Sequence, residues 1–433
     1  MRLVYVTPFF PYPPHAGATI RIWNTLLALS RHHTIDLVVQ DVEPPDEDAV
    51  AAVRALVRSV TFVPRRAPLL SGRLAPRGSW AALVDMLQYP PSYLRRYRSR
   101  DLVRHVGALL ASDGRADWLL CDTQLSGQVA LSSRLPRVPR ALCLFDLYDT
   151  LSRHKVAATP FGPYKVKFVV DWLKARHYEK RIMRRFDVLA VVSAQDERLV
   201  RAQHARARVA LIPNGVDVEY FQPAPRGRDD ADGPCATARA EVLFVGNLSY
   251  EPNDDGVRYF LSAIWPLVRA QRSGARFIVV GASPLDWLRE VAERDASVIV
   301  TGEVDDVRPH YREARVVVVP LRLGAGTKLK VLEALAMGVP VVTTPQGRMG
   351  LDAEDGHHLL VATTPEQFAA RVVDILHNRA LAEPLAKAGR ILVEQRYGWP
   401  AILASFDDAL RQGRGTVSEG GSSRADRAMD GSQ

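Results

Sequence analysis

Short, continuous runs of Val, Ile and Leu recur along the chain and alternate with segments of helical apolar period. Such runs are typical of parallel strands that are buried on both faces. The alternation of strand and helix predicts an α/β protein. The predicted strands are Leu3–Val6, Ile35–Val39, Trp118–Cys121, Ala141–Phe145, Asp187–Val192, Val242–Val245, Phe277–Gly281, Ser297–Val300, Val316–Val319 and Val339–Thr343.

This alternation runs through the chain twice, and a length of 433 residues suits two domains. We predict two doubly wound, Rossmann-like domains, residues 1–212 and 213–395, which face a cleft. Residues 396–412 are predicted to form a helix that returns to the first domain. Residues 413–433 are rich in Gly, Ser, Asp and Arg without an apolar period, and they are predicted to be disordered.

Several classes of protein are disfavoured by composition. No apolar run approaches the roughly 20 residues that a membrane-spanning helix needs. The first residues lack the features of a secretory signal, so we expect a cytoplasmic protein. The cysteines Cys121, Cys143 and Cys235 have no metal-site spacing and are expected to be packing residues, without a zinc ion or a disulfide.

Charge is divided unevenly between the two predicted domains. Residues 1–212 contain 32 Lys and Arg against 18 Asp and Glu, and residues 213–433 contain 25 against 30, which gives net charges of +14 and −5. The first domain is therefore expected to face something anionic: a membrane surface, a phospholipid-linked acceptor or nucleic acid. Nucleic acid is the weakest of the three, because no nucleic-acid-reading motif accompanies the basic residues.

The pattern that points to chemistry is a glycine-rich turn between a buried strand and a helix predicted over residues 328–337. Gly324 and Gly326 allow a tight turn and a close approach of the backbone to a ligand. The unpaired amides and positive dipole end of the following helix attract phosphate. Gly338 is placed to cap the helix. A diphosphate therefore fits at this turn.

Charged side chains stand at the start of the same helix. Lys328 and Lys330 add mobile cations, and Lys330 and Glu333 share one side of the helix because they are three residues apart. We interpret one of this pair as a ligand of phosphate and the other as a ligand of the ribose hydroxyls. The residues alone leave a second interpretation equally open, in which the pair is a solvated salt bridge on an ordinary strand–turn–helix unit.

The stretch GAGTKLKVLEALAMGVPVVTT, residues 324–344, closely resembles the donor-binding segment of the retaining, nucleotide-sugar-dependent GT-B glycosyltransferases of group 1, a family 4-like group that includes sucrose synthase. Residues 209–217 and 242–253 resemble, in the expected order, the family's interdomain segment and its first C-terminal strand and loop. Residues 300–304 resemble the loop that takes the nucleotide base through backbone contacts. The resemblance is good from about residue 187 to residue 395 and thin before that.

This resemblance implies a GT-B fold and a hexosyltransferase that needs neither a metal nor another cofactor. The donor would be a nucleotide diphosphate sugar and the acceptor a glycan or a lipid-linked molecule, in polysaccharide or glycolipid biosynthesis. The lysines and the helix end would stabilise the charge of the leaving diphosphate. The implied donor-binding residues are Gly17, Asn247, Gly302, Val304, Gly324, Gly326, Thr327, Lys328, Lys330 and Glu333, of which Lys330 and Glu333 are also catalytic candidates.

One position departs from the family pattern. Many members have two glutamates eight positions apart in this segment. Glu333 matches the second, but Ala325 stands where the first would contact the donor sugar. The pattern Gly-x-Gly-Thr-Lys-Leu-Lys resembles a branch of the family in which the lysines persist. We therefore interpret Ala325 as variation and not as loss of activity.

In the first domain, Gly17 precedes a helix predicted over residues 18–31. Its position resembles the family's glycine loop, which faces the donor phosphates; the alternative is a plain turn beneath a core helix. One face of that helix is predicted to carry Ile20, Trp23, Leu27 and Ser30.

Asp146 follows a buried strand at the place where members of the family often carry a His-Asp or His-Asn pair, and no His stands there. We predict that Asp146 contacts the acceptor and is a catalytic candidate. A helix-capping role is equally open.

Residues 165–186 place apolar side chains among many basic ones. A basic amphipathic helix can lie on an anionic membrane, which would make the protein peripheral on the inner face of the membrane. Packing of this helix in the core, with a solvated basic face, is at least as well supported by the pattern.

Two other functions remain open within the same architecture. A nucleotide-sugar 2-epimerase also binds its substrate between two such domains but acts without an acceptor. A non-catalytic nucleotide-sugar-binding protein would explain both Ala325 and the missing histidine.

Overall fold

The computed structural model describes residues 1–41, 44–65, 88–112, 114–204, 207–223, 241–324 and 326–413. It divides into two compact units, and the first combines Met1–Ile212 with the residues from Leu403 onward. The second is Pro213–Ile402. The division after Ile212 coincides with the predicted domain boundary. The predicted disordered tail, from residue 414 onward, and the predicted packing residue Cys235 lie outside the described residues.

The first unit contains a parallel sheet. Its strands are β1 (Arg2–Thr7), β2 (Thr34–Val39), β3 (Ser59–Phe62), β4 (Trp118–Asp122), β5 (Arg140–Leu144), β6 (Val188–Val191) and β7 (Arg208–Leu211). Their order is β3-β2-β1-β4-β5-β6-β7, and all neighbours pair in parallel. The two strands that the apolar pattern missed, β3 and β7, are the edge strands, which need no continuous apolar run.

Helices connect these strands. They are α1 (Gly17–Leu29), α2 (Glu47–Arg54), α3 (Ser92–Arg95), α4 (Arg100–Ala111), α5 (Thr123–Gly127), α6 (Tyr148–Ala158), α7 (Pro163–Met183) and α8 (Ala194–Gln203). Cys121 and Cys143 are buried and unpaired, as expected of packing residues.

The second unit has its own parallel sheet. The strands are β8 (Glu241–Val245), β9 (Arg276–Val280), β10 (Val298–Gly302), β11 (Val316–Val319), β12 (Val341–Thr343) and β13 (Leu360–Val361), in the order β10-β9-β8-β11-β12-β13. All ten predicted strands of the chain are present, each within two residues of its predicted ends. Strands β8 and β11 are buried along their whole length, which explains why their apolar runs predicted them.

The helices of this unit follow the same alternation. They are α9 (Glu251–Tyr259), α10 (Trp265–Gln271), α11 (Asp286–Arg294), α12 (Arg308–Glu313), α13 (Leu329–Ala336), α14 (Pro345–Arg348), α15 (Pro365–His377) and α16 (Arg379–Arg396). A π-helical turn, Phe260–Ile264, joins α9 to α10. A last helix, α17, covers residues 399–413, and its residues from Leu403 belong to the first unit.

Helix α1 begins at Gly17, as predicted, but the predicted face is not the one that enters the core. Trp23 and Leu27 are only half-buried. The fully buried positions are Arg21, Ile22, Thr25, Leu26 and Leu29. The apolar pattern misjudged the face because a charged residue lies in the core: Arg21 donates a hydrogen bond to the Ile212 carbonyl over 2.8 Å.

Candidate functional site

The glycine-rich turn after β11 has the backbone that its sequence predicts. Gly324 and Gly326 have φ angles of +106° and +68°, in the left-handed region that side chains disfavour. The Gln346 amide donates to the Gly324 carbonyl, and Lys328 Nζ donates to the Gly326 carbonyl over 2.8 Å. Thr327 Oγ1 donates to the Gly350 carbonyl over 3.3 Å. These side-chain hydrogen bonds therefore stabilise the conformation of the turn.

Ala325 lies outside the described residues, so the departure from the family glutamate is known from the sequence only.

Helix α13 begins directly after this turn. Its N-cap residue is Lys328, which makes no side-chain capping bond. The Val331 N–H donates to the Lys328 carbonyl over 3.0 Å. In the part of the chain that the structure describes, the N–H groups of Leu329 and Lys330 have no hydrogen-bond partner. Two backbone donors and the positive end of the helix dipole are thus available to an anion.

Lys330 is the cation next to these amides. Its ammonium donates to Asn253 Oδ1 over 2.7 Å and lies 4.1 Å from the centroid of the Phe244 ring. Burial lowers the pKa of Lys330 to about 7; the charge of Glu333 opposes this shift, and that of Lys328 adds to it. Because its hydrogen-bond partner is a neutral amide, the positive charge of the ammonium is not cancelled.

Glu333 is held by a different residue. Tyr311, completely buried in α12, donates its hydroxyl to Glu333 Oε2 over 2.9 Å. Burial raises the pKa of Glu333, while this hydrogen bond and the charge of Lys330 oppose the shift. Within the described residues Lys330 and Glu333 form no ion pair with each other. The interpretation of the two as a solvated salt bridge is therefore wrong.

The other residues predicted to bind the donor lie on neighbouring loops of the same unit. Gly302 ends β10 with a φ of +76°, and its carbonyl accepts the Gly281 N–H over 2.9 Å. Val304 is half-buried and has no hydrogen-bond partner among the described residues. Asn247 Oδ1 accepts the Ser249 N–H over 2.9 Å, so this side chain shapes its own loop. Donor binding by these three residues stays a prediction.

Sequence reasoning did not single out Asn253 and Tyr311, the residues that hold Lys330 and Glu333. Asn253 lies in a segment that resembles the family's first C-terminal loop and carries no other signal. Tyr311 gave no signal, because a buried tyrosine in a short helix has the pattern of any core aromatic residue. Each lies far along the chain from the residue that it contacts, so only the folded structure brings the pairs together.

In the first unit, Asp146 is half-buried and its backbone carbonyl accepts the Gln124 amide over 2.9 Å. The helix-capping alternative is wrong, because the N-cap residue of α6 is Leu147. The first amides of α6, those of Tyr148 and Asp149, instead donate to the Glu179 carboxylate over 3.0 and 3.1 Å. Contact of Asp146 with an acceptor stays a prediction.

Glu179 is itself 4% exposed, and it was not singled out by the sequence. Burial raises its pKa to about 7, although hydrogen bonds from Asp149, Tyr148 and Gln124 lower it. A buried carboxyl group from α7 therefore accepts the first amides of α6, next to the strand end that carries Asp146.

No group of three or more His, Cys, Asp or Glu among the described residues is arranged to hold a metal ion. Two adjacent aspartates of α9 have basic partners: Asp254 pairs with Arg258, and Asp255 with Arg322. The described helices include none whose length and apolar character would let it traverse a bilayer.

Comparison with known proteins agrees with this geometry. A family model described as glycosyl transferases group 1 matches residues 239–378. Over 253 residues the chain is 29% identical to the GDP-mannose-dependent alpha-(1-6)-phosphatidylinositol monomannoside mannosyltransferase of Mycobacterium tuberculosis, an alignment that covers 55% of this chain and 65% of that protein. Residues 239–378 of the second unit are thus a glycosyl transferases group 1 domain.

Solved structures show the fold of this glycosyltransferase. Sucrose-phosphate synthase from Thermosynechococcus elongatus has a TM-score of 0.69 at 19% identity, covering 95% of this chain and 99% of that chain. Anabaena HepE in complex with UDP-glucose has a TM-score of 0.61 at 13% identity, covering 95% of this chain and 100% of that chain. The predicted GT-B fold is confirmed.

Proposed function

We propose that this glycosyltransferase moves a hexose from a nucleotide diphosphate sugar to a glycan or lipid-linked acceptor, with retention at the anomeric carbon and without a metal. The observation that carries the proposal is the start of α13. There, the N–H groups of Leu329 and Lys330, which have no partner among the described residues, and the Lys330 ammonium form a cationic end to the helix. A diphosphate is the anion that suits several converging donors.

Each predicted donor-binding residue except Asn247 has a role in this proposal. The diphosphate accepts hydrogen bonds from the α13 amides and from Lys330, with Lys328 and Thr327 beside them. The Glu333 carboxylate accepts both ribose hydroxyls, because Tyr311 holds it in place. Gly324 and Gly326 let the backbone approach the donor closely. The base meets the backbone of Gly302 and Val304. Gly17, at the start of α1, is a further proposed ligand of the donor phosphates.

These groups favour departure of the nucleoside diphosphate. Negative charge grows on the leaving oxygen as the glycosidic bond breaks, and the preorganised amides and Lys330 stabilise it without reorganising. A metal is unnecessary for this step because the protein supplies the positive charge. In the same proposal Asp146 contacts the hydroxyl of the acceptor.

Support for a GDP- or UDP-sugar donor comes from the relatives: the mycobacterial enzyme is named as dependent on GDP-mannose, and HepE holds UDP-glucose. The mycobacterial enzyme is also named for a phosphatidylinositol mannoside, which supports a lipid-linked acceptor.

Association with an anionic membrane surface is a second part of the proposal. Helix α7 divides into two halves: Tyr178 and Ile182 pack in the core, whereas Tyr164, Val166 and Leu173 are exposed. Phe161, just before the helix, is 96% exposed. Residues 148–186 hold ten Lys and Arg against three Asp and Glu. Exposed apolar side chains among basic ones suit the interface of an anionic bilayer.

Flotation with vesicles tests the membrane proposal. Binding to anionic vesicles is expected, weakened by salt and absent with neutral vesicles. Replacement of both Phe161 and Leu173 by serine should reduce it, whereas Ile391→Ser, at an exposed apolar residue of the second unit, should not. Equal flotation of all three proteins would contradict the proposal.

Donor turnover tests the reaction. The protein is incubated with UDP- and GDP-hexoses and a membrane lipid extract, in EDTA, and release of the nucleoside diphosphate is measured. The expected result is release that requires the extract and survives EDTA. This release should be lost in Lys330→Met but not in Lys387→Met, which changes an exposed lysine of α16. Conversion of the donor to an epimer without acceptor would select the epimerase, and binding without turnover the non-catalytic protein.

A further inference from the structure

The side chain of Lys330 is not free to sample the many rotamers of an exposed lysine. Its ammonium is joined to Asn253 over 2.7 Å and rests against the Phe244 ring. Asn253 comes from the first turn of α9 and is only 6% exposed. A lysine that is ordered before its ligand arrives loses less conformational entropy on binding.

Asn253 is itself fixed at its other end. Its Nδ2 donates to the Asn247 carbonyl over 2.7 Å, and its backbone N–H donates to the Tyr250 carbonyl over 2.8 Å. The orientation of the amide is determined by chemistry: a carbonyl can only accept, and an ammonium can only donate. Asn253 therefore presents its oxygen, and not its nitrogen, to Lys330.

The backbone at Gly246 leaves space for the contact between Lys330 and Asn253. A Cβ atom added to Gly246 would lie 2.5 Å from Lys330 Nζ and 2.8 Å from Asn253 Nδ2, both far inside contact distance. Glycine at this position, directly after β8, therefore lets the lysine and the asparagine meet.

The side chain of Asn253 is also neutral, which matters for the charge of Lys330. An aspartate at position 253 would hold the ammonium equally well but would cancel its charge, whereas an amide orients the ammonium and leaves the charge for an anion. The charged groups that act on Lys330 besides any ligand are Glu333 and Lys328, on its own segment of the chain.

We propose that Asn253 is a positioning residue of the donor site, which fixes the Lys330 ammonium at the diphosphate without neutralising it. This inference rests on the proposed role of Lys330 in donor binding. Asn253 acts through Lys330 and does not itself touch the reacting atoms.

The test compares wild type, Asn253→Ala and Asn253→Asp by titration calorimetry with UDP and with GDP, across a range of pH. Asn253→Ala should bind about tenfold more weakly, a loss equivalent to one well-formed hydrogen bond to a charged group. Asn253→Asp should also bind more weakly. The pH at which its affinity falls should move upward, because a carboxylate raises the pKa of the neighbouring ammonium.

Asn378→Ala is the matched control. Asn378 lies in the same unit and caps α16 by accepting the Leu381 N–H over 3.1 Å. Its loss should lower the melting temperature and leave nucleotide affinity unchanged. A merely structural role of Asn253 would give the same outcome: lower stability, unchanged affinity and an unchanged pH profile in both Asn253 variants.

The outcomes separate this inference from the proposed function. Wild-type affinity in Asn253→Ala, or a wild-type pH profile in Asn253→Asp, would overturn the inference while the donor site stands. If Asn253→Ala does not fold, the pH profile of Asn253→Asp alone decides. Absence of UDP and GDP binding by wild type would instead overturn the proposed function.

Discussion

The hydroxyl of Tyr311 donates a hydrogen bond to Glu333 Oε2 over 2.9 Å, and the tyrosine is completely buried. This contact fixes an acidic side chain on the same helix as Lys330, and it opposes the rise that burial causes in the pKa of Glu333. In the proposed donor site Glu333 accepts the ribose hydroxyls, which requires an ionised carboxylate in one orientation. The Tyr311 hydrogen bond favours both, because it lowers the pKa of Glu333 and holds Oε2.

Tyr311→Phe should therefore weaken nucleotide binding without removing the site. Loss of a hydrogen bond to a buried carboxylate is expected to cost about 2 kcal/mol of stability and to raise the pKa of Glu333 further. UDP or GDP affinity, measured by calorimetry, should fall.

Tyr397→Phe provides the comparison for this variant. The Tyr397 hydroxyl is also buried and accepts the Asp352 N–H over 2.8 Å. Stability should fall in this variant too, with nucleotide affinity intact. If Tyr311→Phe bound the nucleotide as tightly as Tyr397→Phe does, Tyr311 would only support the fold.

Nucleotide affinity should depend on pH through Lys330. Burial lowers the pKa of Lys330 to about 7, so the free protein loses the positive charge as pH rises through this value. Affinity for UDP or GDP should then decrease by up to about tenfold per pH unit, with uptake of a proton on binding. Calorimetry in buffers of different ionisation enthalpy measures both quantities.

Lys330→Arg should flatten this profile, because a guanidinium keeps its charge throughout the range. A wild-type profile as flat as that of the arginine variant would show that Lys330 is not the titrating group.

Asp146→Ala should lower turnover and leave the melting temperature nearly unchanged. The N-cap residue of α6 is Leu147 and not Asp146, and the Asp146 backbone carbonyl that accepts the Gln124 amide persists in the variant. Thermal unfolding and acceptor-dependent turnover are measured on the same preparation. A large drop in melting temperature would assign Asp146 to the fold and not to the acceptor.

Glu179 should make the stability of the protein depend on pH. Burial raises its pKa in the folded state from 4.5 to about 7, so the folded chain binds more protons than the unfolded chain between these values. The favourable contribution of Glu179 to the free energy of unfolding is fully present below pH 4.5 and is lost as pH rises through about 7. Relative to wild type, Glu179→Gln should become more stable as pH rises across this window. A difference in melting temperature between Glu179→Gln and wild type that stays the same at every pH would contradict this assignment.

Much of the fold could be predicted from the sequence, because strands such as β8 and β11 are buried along their whole length and leave continuous apolar runs. The turn at Gly324 and Gly326 was equally legible, since its φ angles require glycine. The edge strands β3 and β7 were missed because they carry no such run. The face of α1 was misjudged because the buried Arg21 interrupts its apolar pattern.

The site was predictable only where its residues are neighbours in sequence. Lys330 and Glu333 share one helix, so their spacing carried the prediction. Asn253 and Tyr311 meet them through tertiary packing, across 77 and 22 positions. Burial with a polar partner, which sets the pKa values and the orientation of both charged groups, has no signature in a single sequence.

A crystal structure with UDP or GDP bound is the decisive test of the proposed donor site. The diphosphate should lie against the N–H groups of Leu329 and Lys330, within hydrogen-bond distance of the Lys330 ammonium, with the ribose hydroxyls on Glu333. A nucleotide bound elsewhere, or bound with the Lys330 and Glu333 side chains directed away from it, would show that this assignment is wrong.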